Sequence, residues 1–328
     1  MRKFVFFGRS NFQYNNYDSM RIILNDVMDW DNFFYVSPNK SGSFWWLNSF
    51  YNNRFLGAIR RRIGIPWRKE SFAHYVDCSE KLGREDDIVF LFVRHEPWFF
   101  GETGFLKYLR NTYVNAKLVY LLINVNQYLQ IDFETFIPYF DKVITIDEGD
   151  AQKYKITFHP FFYSAVDLYD ESIPESDCFY VGNAKKRLVD ILDTYEWLTK
   201  QGIKCDFHLI GVPKEKQKYE DHIIYNKPMS YNEVVCRVKK SKILLEIMQE
   251  GQTSGTLREH EAVAYGKKLL TNNKYIVSRS FYNDENILVF EKCEDIKKDF
   301  IFNNNEIIYP NRNDISPSVF LRWIDNEV

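Results

Sequence analysis

Short, solidly apolar runs alternate along the chain with longer stretches whose apolar positions recur every three or four residues. The runs KFVFFG (3–8), DIVFLFV (87–93), AKLVYLLI (116–123) and DKVITID (141–147) read as strands buried on both faces. Between them, NYDSMRIILNDVMDW (16–30) and TGFLKYLRNTY (103–113) have helical period. The rhythm repeats in the second half. DCFYVG (177–182), KCDFHLIGV (204–212), SKILLEIM (241–248), KKLLTN (267–272) and NILVFE (286–291) are strand-like, with helices expected over 186–201, 230–240 and 255–265. Buried strands joined by crossover helices predict an α/β protein with parallel sheets. The segment HPFFYSAVDLYDESIPESD (159–177) holds two prolines and has no period, which makes it the expected seam. The expected domains are 1–165, 166–315 and a terminal helix over 316–328. Ser316 or Ser318 can cap that helix, Pro317 fits its first turn, and it is expected to return to the first domain.

Composition narrows this picture. The chain has 328 residues, 45% of them apolar and 27% charged, which suits two cored domains rather than disorder. A net charge of −2 asks for no nucleic-acid partner. Cys78, Cys178, Cys205, Cys236 and Cys293 are scattered and never form a C-x-x-C pair, so neither a disulfide framework nor a zinc site is expected. The start MRKFVFFGRSNF carries too short an apolar run for a signal peptide. The longest runs fall far below the ~20 residues of a membrane span. These features predict a cytoplasmic chain.

The richest polar stretch is QEGQTSGTLREHEAVAYGKKLLTNN (249–273), which leaves a strand at its carboxyl end, the edge where open α/β sheets bind ligands. Ser254 is the expected N-cap, leaving the amides of Gly255 and Thr256 at a helix start suited to phosphate. Arg258 can reach a diphosphate and Glu261, one turn deeper, ribose hydroxyls. Three residues apart, the two can equally form an ion pair with each other. If Arg258 serves the diphosphate, its replacement by alanine lowers turnover and leaves the fold intact. His260 lacks the second histidine of a zinc motif, and no G-x-G-x-x-G is present.

Further candidates lie at other strand ends. YVGNAKKR places Gly182, Asn183, Lys185, Lys186 and Arg187 in one turn, where Gly182 permits close approach and the cations suit a diphosphate or simply solvate a helix start. Ser230 and Glu233 of KPMSYNE form a capping box. VRHEPWFFGETG follows the second strand named above, and its His95 and Glu96 are the first candidates for a general base. Glu102, Asp18 and Asp147 are alternatives. FWWLNSFYNNRFLGAIRRRIGIPWRKE (44–70) mixes cations with apolar residues. It suits contact with an anionic membrane face, a partner-facing helix, or an RNA patch that neither the overall charge nor a known motif supports.

Five stretches in order carry a resemblance: YFDKVITIDEGDAQKYKITFHPFFYS (139–164), CFYVGNAKKR (178–187), KPMSYNEVVCRVKKSKILLEI (227–247), QTSGTLREHEAVAYGKKLLTNN (252–273) and FYNDENILVFE (281–291). Together they resemble bacterial glycosyltransferases of the GT-B fold that assemble capsular, exopolysaccharide or lipopolysaccharide glycans. The resemblance implies two Rossmann-like domains facing a cleft and no cofactor beyond a nucleotide diphosphate sugar, UDP or GDP, as donor. It also implies a glycan or lipid-linked acceptor. It ranks Arg187 first among the cations of its turn and brings Tyr231 or Met229 near the nucleobase. Thr253, Ser254, Gly255, Thr256, Arg258 and Glu261 then hold the diphosphate and ribose without a metal. Many retaining members carry two glutamates eight positions apart. Glu261 matches the second, whereas Thr253 stands at the first and Glu250 lies three residues earlier still.

Overall fold

The apolar runs of the sequence are parallel strands in the computed structural model, which describes residues 1–8, 19–36, 81–93, 104–123, 137–303 and 305–328. The chain divides into two units: Met1–Gln13, Val27–His159 and Trp323–Val328 form one, and Tyr14–Asp26 and Pro160–Arg322 the other. His95, Glu96, Glu102, Asp18 and the stretch 44–70 lie outside the described residues.

In the first unit, β1 (Lys3–Phe7), β2 (Phe33–Val36), β3 (Asp87–Val93), β4 (Asn115–Leu122), β5 (Lys142–Thr145) and β6 (Thr157–Phe158) form one sheet in the order β2-β1-β3-β4-β5-β6. Every described pairing in it is parallel. Ile88 to Phe92 are fully buried, because a central parallel strand is covered on both faces. Phe7 and Phe92 stack at 4.7 Å, and Phe105 of the helix Phe105–Thr112 meets both edge-on. Asp147, an alternative base, is the buried N-cap of the helix Glu148–Tyr154 and accepts from Asp150 N at 3.0 Å.

The second unit pairs β7 (Ser176–Asn183), β8 (Cys205–Ile210), β9 (Ile223–Tyr225), β10 (Ser241–Glu246), β11 (Lys268–Thr271) and β12 (Ile287–Val289) in the order β12-β11-β10-β7-β8-β9, again all parallel. This is the Rossmann order, reversing direction between β7 and β10. Its helices include α1 (Ser19–Ile23), α4 (Leu188–Lys200), α5 (Tyr231–Lys240) and α6 (Leu257–Tyr265), with α2 and α3 being the two first-unit helices above. Ile191, Leu198, Leu209, Ile243 and Leu245 form the centre of its core.

Four expectations change in detail. Strands β2, β6 and β9 had no separate signal, since each is a two- to four-residue edge strand. The helix expected over 16–30 is, among the described residues, only α1 followed by a 3₁₀ turn at Asn25–Val27. The Asp26 amide, which would continue it, donates instead to Ser164 Oγ at 3.0 Å. Glu233 does not close a capping box: Ser230 accepts from Glu233 N at 3.2 Å, but the Glu233 carboxylate turns to Arg237. The cap of α6 also moves, as described below. The helix α8 (Pro317–Glu327) follows α7 (Lys298–Phe302) and begins on its proline, with Ser316 Oγ accepting from Ser318 N at 3.1 Å. Within the second unit Phe320 stacks on Phe162 at 4.4 Å. Within the first, Asp325 pairs with Arg2 at 3.2 Å and Glu327 with Lys142 at 2.5 Å.

Candidate functional site

The carboxyl ends of β7 and β10 are neighbours at the point where the strand order of the second unit reverses, the place where such sheets bind ligands. Two loops leave this point: Asn183 to Arg187 after β7, and Ile247 to Thr256 after β10. Arg187 ties them together, its Nη1 donating to Ile247 O at 2.6 Å and its Nη2 to Asn183 O at 2.5 Å. Lys185 sits at φ +45° and donates its amide to Asn183 Oδ1 at 3.2 Å, while its side chain and that of Lys186 are exposed. A Cβ on Gly182 would lie 3.3 Å from Tyr180 Oη, which is buried without a hydrogen-bond partner. Burial raises the Tyr180 phenol above its ordinary range. The Gly182 face is thus lined by the Tyr180 phenol and, 3.9 Å from such a Cβ, by Arg187 Nη2.

The second loop ends at a different cap from the one the sequence suggested. Thr256, not Ser254, is the N-cap of α6, its hydroxyl accepting from Arg258 N at 3.1 Å. The Thr256 amide is not available to a phosphate, because Glu246 Oε1 accepts it at 2.7 Å. Glu246 Oε2 accepts from Thr271 Oγ1 at 2.6 Å, so one buried carboxylate at the end of β10 joins the α6 start to β11. Gly255, Thr256 and Leu257 are half-buried, Ser254 is buried, and Gln252 donates to Ser254 O at 2.8 Å. Thr253 is half-buried and Glu250 exposed. The α6 start is neither sealed by packing nor fully open to water.

Gly255 is required by close approach. A Cβ there would fall 1.8 Å from Glu259 Oε2 and 1.9 Å from its carboxyl carbon. Glu259 is itself only 2% exposed and cannot swing into solvent. Gly255→Ala is therefore expected to cost about 1–3 kcal/mol through overpacking. Combining it with Glu259→Ala should cost less than the two changes added, as a double-mutant cycle of denaturant midpoints would show.

Arg258 and Glu261 face each other rather than solvent. Arg258 Nη2 donates to Glu261 Oε1 at 3.0 Å, and Nη1 approaches Oε2 to 2.6 Å without hydrogen-bond alignment. Glu261 is fully buried and Arg258 is 8% exposed, its guanidinium lying 5.6 Å from the centroid of the Phe179 ring. Tyr231 Oη donates to Glu261 Oε1 at 2.8 Å and lies within hydrogen-bond distance of Tyr163 Oη, at 3.1 Å. Burial raises the Glu261 carboxyl, against the lowering effect of Arg258 and Tyr231. Of the two arrangements open from sequence, the structure has the ion pair, but in the core rather than on the surface. His260 packs edge-on between Phe161 and Phe281, and Gly266 ends α6 at φ +59°. The network of Glu246, Glu259 and Tyr163 around α6 carried no motif of its own. Its only sequence signal is the density of carboxylates along 246–261.

No protein-family model and no curated protein matches the chain. Solved structures match it in fold. One is a trehalose-6-phosphate synthase, 11% identical, with 89% of each chain covered and a TM-score of 0.50. Another is a UDP-forming trehalose-phosphate synthase from Burkholderia xenovorans, 11% identical over 90% of this chain and 89% of that one, at 0.49. A heptosyltransferase from E. coli in complex with ADP-2-deoxy-2-fluoro heptose is 10% identical over the whole of both chains, at 0.36.

Proposed function

From the GT-B fold that the chain shares with the trehalose-6-phosphate synthase, we propose that it transfers a sugar from a nucleoside diphosphate sugar to an acceptor hydroxyl, with the donor held by the second unit. The observation that carries this reading is the meeting of the β7 and β10 loops at the strand-order reversal, bridged by Arg187, with the second loop running into the half-buried start of α6. In this reading the diphosphate lies against Gly182 and the Gly255 end of α6, and exposed Lys185 and Lys186 meet its charge. Negative charge grows on the leaving diphosphate as the glycosidic bond breaks, and fixed cations and amides stabilise it without a metal. The acceptor in this reading is a glycan or lipid-linked saccharide of bacterial surface polysaccharide. That role rests on the resemblance of 139–291 alone, as does the placing of Tyr231 near the nucleobase. The base assignment to His95 or Glu96 rests on their place after a strand, and the cytoplasmic membrane contact through 44–70 on its mix of cations and apolar residues. Among the described residues no helix is long and apolar enough to cross a membrane.

A thermal-shift panel of UDP, GDP, CDP and TDP sugars tests the reading. One nucleotide class should raise the melting temperature, since ligand at about 100 Kd adds roughly 2.7 kcal/mol of stability. Lys185→Ala should weaken that binding about tenfold, and chelating divalent metals should leave nucleotide release unchanged. No shift with any sugar nucleotide sinks the proposal. The pairing of Arg258 with Glu261 favours a second reading, a nucleotide-sugar-binding protein without transferase activity, because the guanidinium is already engaged. Binding with no nucleotide release would select it.

A further inference from the structure

The amino edge of the second unit's sheet, opposite the candidate donor site, carries a cavity of about 520 Å³. That is within the roughly 300–1,000 Å³ typical of small-ligand pockets. Ser176 and Ser241, register partners at the starts of β7 and β10, lie at its floor. Five lysines line it against only two carboxylates, Glu175 and Asp177. The lysines come from the starts of three strands, with β7 between two of them: Lys204 precedes β8, Lys239, Lys240 and Lys242 surround the start of β10, and Lys267 precedes β11.

Two of the five are neutralised. Lys239 pairs with Asp167 at 2.5 Å and Lys242 with Asp177 at 2.7 Å. The second oxygen of Asp177 accepts the Lys204 amide at 2.9 Å. Lys204, Lys240 and Lys267 form no contact ion pair among the described residues, although the Tyr169 hydroxyl and then the Glu175 and Glu171 charges raise the Lys240 ammonium above its ordinary range. Lys240 donates to the Tyr169 hydroxyl at 3.1 Å and lies 4.6 Å from its ring centroid, and Lys267 donates to Lys239 O at 2.7 Å. A helix C-terminus attracts cations, which accounts for Lys239 and Lys240 at the end of α5. It does not account for Lys204, which belongs to another connection. Burial and the neighbouring Lys239 charge both lower the Lys267 ammonium from its ordinary range.

We propose that this lysine-lined cavity binds a phosphate group, distinct from any donor at the carboxyl edge. Lysines outnumber carboxylates five to two in this lining, and three of them lack a contact ion pair, so a doubly charged oxyanion in the concavity can accept their free protons. Tyr169, 66% exposed at the rim, can pack on whatever carries the phosphate.

The test uses the full chain at about 150 mM salt, where the Debye length is about 8 Å and loose surface attraction is screened. Calorimetry with pyrophosphate, in the presence of saturating UDP and GDP to occupy a carboxyl-edge site, is expected to show one binding event. The Lys204→Ala/Lys240→Ala variant should weaken it at least tenfold, and Lys204→Arg/Lys240→Arg should restore it to within about threefold. Vesicle sedimentation separates the two sources of the phosphate. Pelleting with phosphatidate but not phosphatidylcholine vesicles, lost in the alanine variant, assigns a lipid headgroup. Pyrophosphate binding without pelleting assigns a soluble phosphate. No binding of either, or binding that the alanine variant leaves unchanged, overturns the proposal.

Discussion

Arg258→Ala is expected to destabilise the second unit by about 3–5 kcal/mol, the usual cost of removing one partner from a buried ion pair. The Glu261 carboxylate would be left fully buried, with the Tyr231 hydroxyl as its hydrogen-bond donor and no exposure to water. Sequence reasoning expects this variant to fold normally and lose only turnover. The location of the pair reverses that expectation, so a loss of activity in Arg258→Ala would say nothing about catalysis. The apolar pair Arg258→Met with Glu261→Leu should recover most of the stability, because replacing both charges removes both desolvation penalties. Urea midpoints of the two variants decide the matter. An Arg258→Ala midpoint equal to that of the parent protein would mean that the pair contributes nothing to the fold. If the double variant is stable yet no longer binds sugar nucleotides, the pair has a ligand role beyond packing.

Stability should also fall by about 2 kcal/mol between pH 6.5 and pH 8, on account of Glu259. Burial first, then the nearby Glu246 charge, pushes its carboxyl up from 4.5 to about 8, against the lowering influence of Arg279. The folded chain therefore keeps a proton that the unfolded chain releases above pH 4.5. The associated stability is complete below pH 4.5 and is lost as pH rises through about 8. His260 acts in the opposite sense. Burial holds its imidazole down from 6.5 to about 4, so the stability it contributes is complete above pH 6.5 and is lost as pH falls through 4. From pH 4.5 to 6.5 the two slopes oppose each other, and from 6.5 to 8 Glu259 acts without that offset. One proton corresponds to roughly 1.4 kcal/mol per pH unit, which gives the stated fall over the window. Denaturant titrations at pH 6.5, 7.25 and 8 measure it. Glu259→Gln should flatten the curve, and a slope that survives this substitution would exclude Glu259 as its source.

Much of the architecture was legible because the central strands are built on apolar runs. DIVFLFV and SKILLEIM can only be strands covered on both faces, and their spacing leaves room for the helices between them. Edge strands such as the dipeptide β6 were not legible, since they have one neighbour and a mixed pattern. The place of the candidate site could be read from where SKILLEIM ends, a consequence of parallel topology. Its internal wiring could not. Thr256 and Ser254 are both good caps, and only the seating of Glu246 on the Thr256 amide selects between them. Residues 258 and 261 share a helix face from sequence alone, but whether that face meets solvent or core depends on Tyr231 and Tyr163, some 30 and nearly 100 positions away.

Glu246 has an implication for how any ligand is received at the β10 edge. With one oxygen on the α6 start and the other on Thr271, it pins the connection at both ends before anything arrives. A guest entering there meets a preassembled cradle, so little ordering entropy is lost on docking, and selectivity derives from fit more than from folding around the visitor.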